Sequence, residues 1–397
     1  MPKKYLIINT GSASKKYSFY FNTEKVYFAH FETEDGNFIV TETAEKIGKK
    51  KTIINEDKYI NAVKFIVDSL IEIGLIGSKD DIDLSGVRIV APGEYFLTNR
   101  LIDDEYLQLA KVALEKVPLH LGPALKEIEK LKEVLGDKKP IVGVSDSTFH
   151  ASLPEQAKFY AIPIADSRRF GIYRFGYHGI SVQSVVSRAT ATLGHLPEKV
   201  IVCHLGGGAS ITAVKNGQSI DTSMGFTPLE GLVMATRVGD VDAGTVLYLA
   251  EKLNKNYQEL EHYFNNNCGL LGLSGKSDDI RELLINESVG DADSALALKI
   301  YVNRIKQYIG RMAAVLGGVD LLIFAGTVGE RSFIMRGRIC DNLNFLGIEL
   351  DKEINDKSEG VEVEISKAGA KTKVLVVKTD EMEEIAKETY RLANLVN

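Results

Sequence analysis

Three turns in this chain combine glycine with hydroxyl or amide side chains: Asn9 to Ser14, Gly206 to Ser210 and Gly326 to Glu330. Phosphate needs such turns, because glycine lets the backbone approach closely while N–H and hydroxyl groups donate to the oxygens. None has the lysine and serine or threonine spacing of a P-loop, and Gly206, Gly207 and Gly208 lead into a further strand rather than the helix of a dinucleotide fingerprint. Moving a phosphoryl group also asks for positive charge around it and for carboxylates that hold magnesium. Candidate cations are Arg88 in Val87-Arg88-Ile89-Val90, His178 in Gly176-Tyr177-His178-Gly179, and Arg237 in Ala235-Thr236-Arg237-Val238. Candidate carboxylates are Asp146, where the run Ile141 to Val144 ends, and Glu381 after Thr379-Asp380. His120, His150 and His204 fit either a hydrogen-bonded core or a site. Residue types and spacing thus point to a phosphate or nucleotide enzyme without naming it.

The elements that position these residues repeat. Tyr5 to Ile8, a glycine-serine turn and the alternating run Tyr17 to Phe21 follow the same plan as Val200 to Leu205, its glycine turn and Ile211 to Val214. Each is followed by one more short strand, Lys25 to Glu32 and Gln218 to Asp221, which points to a duplicated fold. Apolar residues three or four apart predict helices over Ala62 to Ile73, Pro123 to Leu135, Val182 to Leu193, Leu296 to Leu316 and Glu381 to Leu395. Buried strands are expected at Gly86 to Val90, Ile141 to Val144 and Leu321 to Phe324, so the class is α/β with a sheet in each domain. Gly326 to Glu330 reads as a loop before a helix, and the charged run Gly48 to Asp57 as a solvated hairpin or loop.

A chain of 397 residues exceeds what one core usually supports, so two domains are expected. The net charge of -6 offers no basic surface for nucleic acid. The apolar run behind Met1 to Lys4 is too short for a signal peptide, and no stretch nears the length needed to span a bilayer. Together with three widely spaced cysteines, Cys203, Cys268 and Cys340, this predicts a cytoplasmic protein without disulfides and without membrane contact.

The sequence resembles the acetate kinase family over nearly its whole length. The most specific block is Asp221-Thr-Ser-Met-Gly-Phe-Thr-Pro-Leu-Glu-Gly-Leu232, followed by Ala235-Thr-Arg-Val-Gly-Asp-Val-Asp242. Arg174-Phe-Gly-Tyr-His-Gly179, Ser145-Asp-Ser-Thr-Phe-His150, Gly269-Leu-Leu-Gly-Leu-Ser-Gly275 and Gly326-Thr-Val-Gly-Glu330 accompany it. The resemblance implies two ribonuclease H-like, actin-like ATPase domains with an active-site cleft between them: residues 1–147, joined by a C-terminal helix at 383–397, and residues 148–382, which carry the nucleotide site. It also implies a homodimer.

By the same resemblance, Asp146, Arg88, Arg237 and His178 are catalytic, and Arg88, Val90, Leu119, Tyr177 and Pro228 hold the acid. Asn9, Ser12, Ser14 and Lys16 lie near phosphate. His204, Gly206, Gly207, Gly208, Asp279, Ile280, Arg281, Gly326, Thr327, Val328, Gly329 and Glu330 hold the nucleotide. Asn9 and Glu381 hold Mg2+, with Mn2+ as an alternative. The implied reaction is reversible transfer of the ATP γ-phosphoryl group to acetate or a similar short acid, giving acyl phosphate and ADP.

Departures from the family pattern mark a divergent member: Gly207 stands where an asparagine is usual, Ala91-Pro92 where His-Gly is usual, Tyr177 where phenylalanine is usual, and His120-Leu121 where His-Asn is usual. They bear on donor affinity and on the choice of acid, so a propionate or butyrate kinase and a pyrophosphate-dependent acetate kinase stand as alternatives. A catalytically silent nucleotide-binding regulator is the reading from another class. Retention of every expected catalytic side chain argues against it, since a silent fold has no need of two unpaired arginines.

Overall fold

In the computed structural model, residues 3–11 and 14–395 are described. The chain forms two compact units, one from Met1–Thr148 with Asp380–Asn397 and the other from Phe149–Thr379.

The first unit is built on an eight-stranded sheet. Its strands are β1 (Lys4–Thr10), β2 (Ser14–Phe21), β3 (Glu24–Glu34), β4 (Asn37–Ala44), β5 (Gly48–Ile54), β6 (Leu84–Ile89), β7 (Arg100–Leu101) and β8 (Ile141–Ser145). They lie in the order β5-β4-β3-β2-β1-β6-β8-β7. β1 to β5 make an antiparallel meander, while β6 runs parallel to β1, and β8 parallel to β6. Tight turns suffice for the meander, whereas parallel pairing demands long crossovers. The helices Ala62–Glu72 and Pro118–Leu135 lie in the crossovers, and their apolar stripes join Leu6, Ile8, Tyr17, Phe31 and Val87 in one core.

The helix Glu381–Leu395 belongs to this unit. It packs so closely on the sheet that a methyl group built on Gly86 would lie 2.0 Å from Thr389 Oγ1. The rings of Tyr5 and Tyr390 are 6.2 Å apart in the same interface.

The second unit has a six-stranded sheet of β9 (Lys199–Leu205), β10 (Ala209–Lys215), β11 (Gln218–Thr222), β12 (Leu321–Ala325), β13 (Val363–Glu364) and β14 (Lys373–Val376). Their order is β11-β10-β9-β12-β14-β13. The first three are antiparallel, and β12 and β14 continue in parallel. This repeats the β3-β2-β1-β6-β8 arrangement strand for strand, so the repeated pattern in the sequence is a repeated topology. The helix Ala292–Leu316, capped by Asp291 and closed by Gly317 in the left-handed region, buries Leu298, Tyr301, Ile305 and Ile309. Cys203 and Cys340 are buried thiols, and burial pushes Cys340 up to about 12.

Two expectations need correction, and one that was left open is decided. The helix predicted from Pro123 begins at Pro118, where a proline costs nothing because a first-turn N–H has no helical partner, and Pro123 lies inside the helix. Of the two forms expected for the charged run from Gly48, hairpin or loop, the structure shows the hairpin: it is the outer arm of β4–β5, with Lys49, Lys50 and Lys51 exposed along the sheet edge, where charge discourages pairing with other chains. Gly326 to Glu330 is not a loop before a helix; the helix Gly326–Arg331 starts at its first residue. Among the described residues no helix is long and apolar enough to cross a membrane.

The close approach at Gly86 yields a prediction. Gly86→Ala should destabilise the first unit by about 1 to 3 kcal/mol, as overpacking does. Adding Thr389→Ala should recover part of that loss, because it removes the atom that is struck. Urea denaturation of the wild type and both variants measures it, and an unchanged midpoint for Gly86→Ala would contradict the packing described.

Candidate active site

In the first unit, parallel register brings three polar residues to one end of adjacent strands. Ile8 is paired with Val87 and Arg88 with Val144, so Asn9, Arg88 and the residues just after β8 are neighbours. Arg88 Nη2 donates to Asp146 Oδ2 at 3.0 Å, and Nη1 donates to Glu381 Oε2 at 3.2 Å and to Asn9 Oδ1 at 3.3 Å. Asn9 Nδ2 donates to Glu381 Oε2 at 2.6 Å. Burial works against the guanidinium charge, but Asp146 and Glu381 more than offset it and hold Arg88 above its ordinary value. Arg88 is therefore ion-paired, and the expectation of two unpaired arginines fails for it. Two carboxylates and a part-buried cation meet at this strand end and retain each other in place.

Asp146 is fully buried, and its N–H donates to the carbonyl of Ile89. Asn99 braces its turn: Oδ1 accepts from the Ser145 N–H and from Thr148 Oγ1, both at 2.8 Å. Nothing in the local sequence marks Asn99, which stands in an unremarkable loop far from Asp146. Ser14 and Lys16 lie at the start of β2, Lys16 paired with Asn9 across the ladder, and Ser12 lies outside the described residues. Val90 follows β6 half-buried, and Leu119 is exposed in the first turn of the helix Pro118–Leu135.

In the second unit the glycine turn after β9 is closed by a Gly206 N–H bond to the Gly208 carbonyl at 3.0 Å. His178 precedes the helix Gly179–Leu193 in the left-handed region, with φ of 61°. Its Nδ1 lies 3.0 Å from Ser210 Oγ, and its ring lies 4.6 Å from that of His204. A methyl group built on Gly208 would sit 3.2 Å from His178 Nε2 and 3.6 Å from Arg237 Nη1. A ring nitrogen and a guanidinium N–H group therefore converge on space that exists because residue 208 has no side chain. The same construction at Gly207 meets nothing within 4 Å.

Arg237 Nη1 also donates to the Pro228 carbonyl at 3.1 Å. The segment carrying Pro228 is held from beneath: Arg174 donates to the carbonyls of Thr222, Ser223 and Met224 and to Glu230, and Tyr160 binds Glu230 in turn. Tyr177 is fully buried, and its hydroxyl donates to the Phe226 carbonyl at 2.7 Å. The hydroxyl that distinguishes it from phenylalanine thus ties down the same segment. Arg174, Glu230 and Tyr160 were not singled out as site residues, although Arg174 and Glu230 fall inside the motifs.

Alongside the glycine turn, Gly326 has φ of 75° and approaches the Leu205 carbonyl so closely that a methyl group would lie 2.6 Å from its oxygen. Glycine alone accommodates that contact. Glu330 folds back so that Oε1 accepts from the Gly326 N–H at 3.1 Å and from Thr379. Asp279 caps the helix Ile280–Ser288, and Arg281 binds it and holds its carboxyl below the ordinary range.

The match to the model of the Acetokinase family runs over residues 4–387. An acetate kinase of Bacteroides thetaiotaomicron is 41% identical over 395 residues, covering 97% of this chain and 98% of its own. An acetate kinase of Clostridium acetobutylicum is 39% identical over 404 residues, covering 97% and 98%. Among solved structures, an acetate kinase from Porphyromonas gingivalis superposes with a TM-score of 0.87 at 35% identity, covering 98% of this chain and 100% of that one. A propionate kinase from Francisella tularensis superposes with a TM-score of 0.88 at 31% identity, covering 97% and 98%. The expected α/β class, with a sheet in each unit, holds, and the fold is shared with these kinases.

The glycine geometry predicts that neighbouring substitutions have opposite effects. Gly208→Ala should lower kcat on the order of a hundredfold, because the methyl group enters the space on which His178 Nε2 and Arg237 Nη1 converge. Gly207→Asn should fold normally and lower the KM for ATP, since its side chain enters open space. Steady-state kinetics with a thermal melt of each variant distinguishes them, and near wild-type kcat for Gly208→Ala would refute the assignment of that space.

Proposed function

This chain belongs to the acetokinase family, phosphotransferases with a carboxyl group as acceptor, and from that premise we propose that it transfers the γ-phosphoryl group of ATP reversibly to acetate or a similar short-chain acid, forming acyl phosphate and ADP. The observation that carries this reading is the convergence of His178 Nε2 and Arg237 Nη1 on the space over Gly208. A phosphoryl group in flight spreads negative charge over three equatorial oxygens, and fixed donors aimed at it stabilise that state more than the ground state.

In this mechanism an acid oxygen attacks the γ-phosphorus in line as the bond to the ADP oxygen breaks, so no covalent enzyme intermediate is required. Arg237 and His178 receive the equatorial oxygens. Arg88 neutralises the acid carboxylate and the transferring group, with Asp146 fixing the plane of its guanidinium. Val90, Leu119, Tyr177 and Pro228 line the acid site. The turn at Gly206 to Gly208, His204, the helix start at Gly326 to Glu330 and Asp279 to Arg281 serve the nucleotide, with Asn9, Ser14 and Lys16 near its phosphates.

Glu381 and Asn9 offer oxygen donors only, which suits Mg2+, an ion that takes one or two protein oxygens and completes its shell with water and phosphate. Mn2+ accepts the same donors. When bound, the ion would neutralise the nucleotide phosphates. The cytoplasm is the compartment proposed.

Trapping acyl phosphate with hydroxylamine across acids and donors tests the reading. ATP with acetate or propionate should give turnover, and Arg88→Ala and Arg237→Ala should each lower kcat at least about a hundredfold. A kcat/KM higher for valerate than for acetate would sink the acid-site assignment, and turnover with pyrophosphate but no nucleotide would overturn the donor.

The working assembly is proposed to be a homodimer. In the helix Ala243–Lys252 no residue is buried, and Leu247 and Tyr248 are 74% and 61% exposed. With Val241, Leu253 and Tyr257 also exposed nearby, they make an apolar surface that a second copy would cover. Leu247→Glu should therefore shift the protein from dimer to monomer in sedimentation, and a monomeric wild type would refute the proposal.

A further inference from the structure

The neighbourhood of His178 is built from one cross-strand pair. His204 on β9 and Ser210 on β10 are opposite each other in the ladder, and both face the His178 ring, His204 at 4.6 Å between centroids and Ser210 Oγ at 3.0 Å from Nδ1. Ser210 is fully buried, so its hydroxyl has no solvent alternative. The other ring nitrogen, Nε2, is the one that reaches the space over Gly208.

We propose that Ser210 is a positioning residue whose hydroxyl, through His178 Nδ1, keeps an Nε2–H donor aimed over Gly208 in both protonation states of the imidazole. The hydroxyl is donor and acceptor at once. With neutral imidazole it donates to Nδ1, which leaves the proton on Nε2. With imidazolium it rotates and accepts from Nδ1–H, and Nε2–H remains. In either state the ring is held in one orientation, as is usual when the far nitrogen of a working histidine is bonded. Among the described residues, the charged and titratable groups here are His204 from β9, against the His178 ring, and Arg237 from the segment after β11, whose Nη1 reaches the same space over Gly208. This inference rests on the reading that His178 meets the transferring phosphoryl group.

The test compares Ser210→Ala, Ser210→Thr and His178→Ala, singly, with Ser210→Ala also made in the His178→Ala background. Ser210→Ala should lower kcat about tenfold, the equivalent of one hydrogen bond, with each KM within about twofold of wild type. Its loss should be greater where the imidazole is neutral than where it is protonated, and so should grow with rising pH, because only the neutral ring needs the hydroxyl to set its tautomer. Ser210→Thr should restore both kcat and the wild-type pH profile, which a purely structural role would not require. Ser210→Ala should cost nothing further once His178 is alanine. If Ser210→Ala does not fold, Ser210→Cys, close in volume but a weak hydrogen-bonding group, carries the same expectation. Wild-type kcat and pH profile in Ser210→Ala, alongside a strongly impaired His178→Ala, would overturn the positioning role alone. A further kcat loss from Ser210→Ala in the His178→Ala background would overturn it too. Wild-type kcat in His178→Ala would instead overturn the reading on which it rests.

Discussion

Parallel strand register is the constraint on which the rest of this protein depends. Side chains alternate along a strand, so a slip of one residue would exchange the two faces and scatter the polar groups at the strand ends. Pairing Ile8 with Val87 and Arg88 with Val144 sets Asn9, Arg88 and Asp146 side by side, although they are dozens of residues apart in the chain. In the second unit, pairing Ala325 with His204 places Gly326 against Leu205, and with it the start of the helix Gly326–Arg331 beside the glycine turn. The strands are held in that register by cores buried on both faces, as in Leu321–Ala325, where every residue is buried. Site geometry is thus inherited from core packing.

Charge follows from that placement. Arg88 is brought to a buried strand end where an isolated cation would be costly, and Asp146 and Glu381 are the groups that make its charge tolerable. Glu381 reaches Arg88 only because the helix it opens packs on β1 and β6 through the tight contact at Gly86. In the second unit Arg237 is oriented differently, by the backbone carbonyl of Pro228, and Arg174 beneath it donates to three successive carbonyls as well as to Glu230 and the Ala157 carbonyl. One arginine is set by ion pairs and the other by main-chain oxygens. The first is therefore sensitive to the neighbouring carboxylates, the second to the path of the Pro228 segment.

Much of the fold was legible because it rests on local patterns. Period-two runs marked the strands, three-to-four spacing marked the long helices, and the two glycine turns lay at corresponding points of the two sheets. Where the reading missed or stayed open, the cause was local ambiguity: Pro123 looked like a helix start although Pro118 was the better first residue, and a lysine-rich edge strand could be read as hairpin or loop because charge at an edge resembles charge in solvent. Asn99 and Tyr160 were invisible because their partners, Ser145, Thr148 and Glu230, are distant in sequence and no spacing rule connects them.

The sequence by itself determined the α/β class, the repeated sheet and the residue types of a phosphoryl-transfer site, since periodicity and glycine placement are properties of neighbouring residues. Only the tertiary structure decided that Arg88 is ion-paired, that Tyr177 turns its hydroxyl to the Phe226 carbonyl, and that Ser210 meets Nδ1 of His178. These are contacts across strand ladders and long crossovers. Their geometry is set by how side chains pack together, which a linear pattern of residue types does not encode.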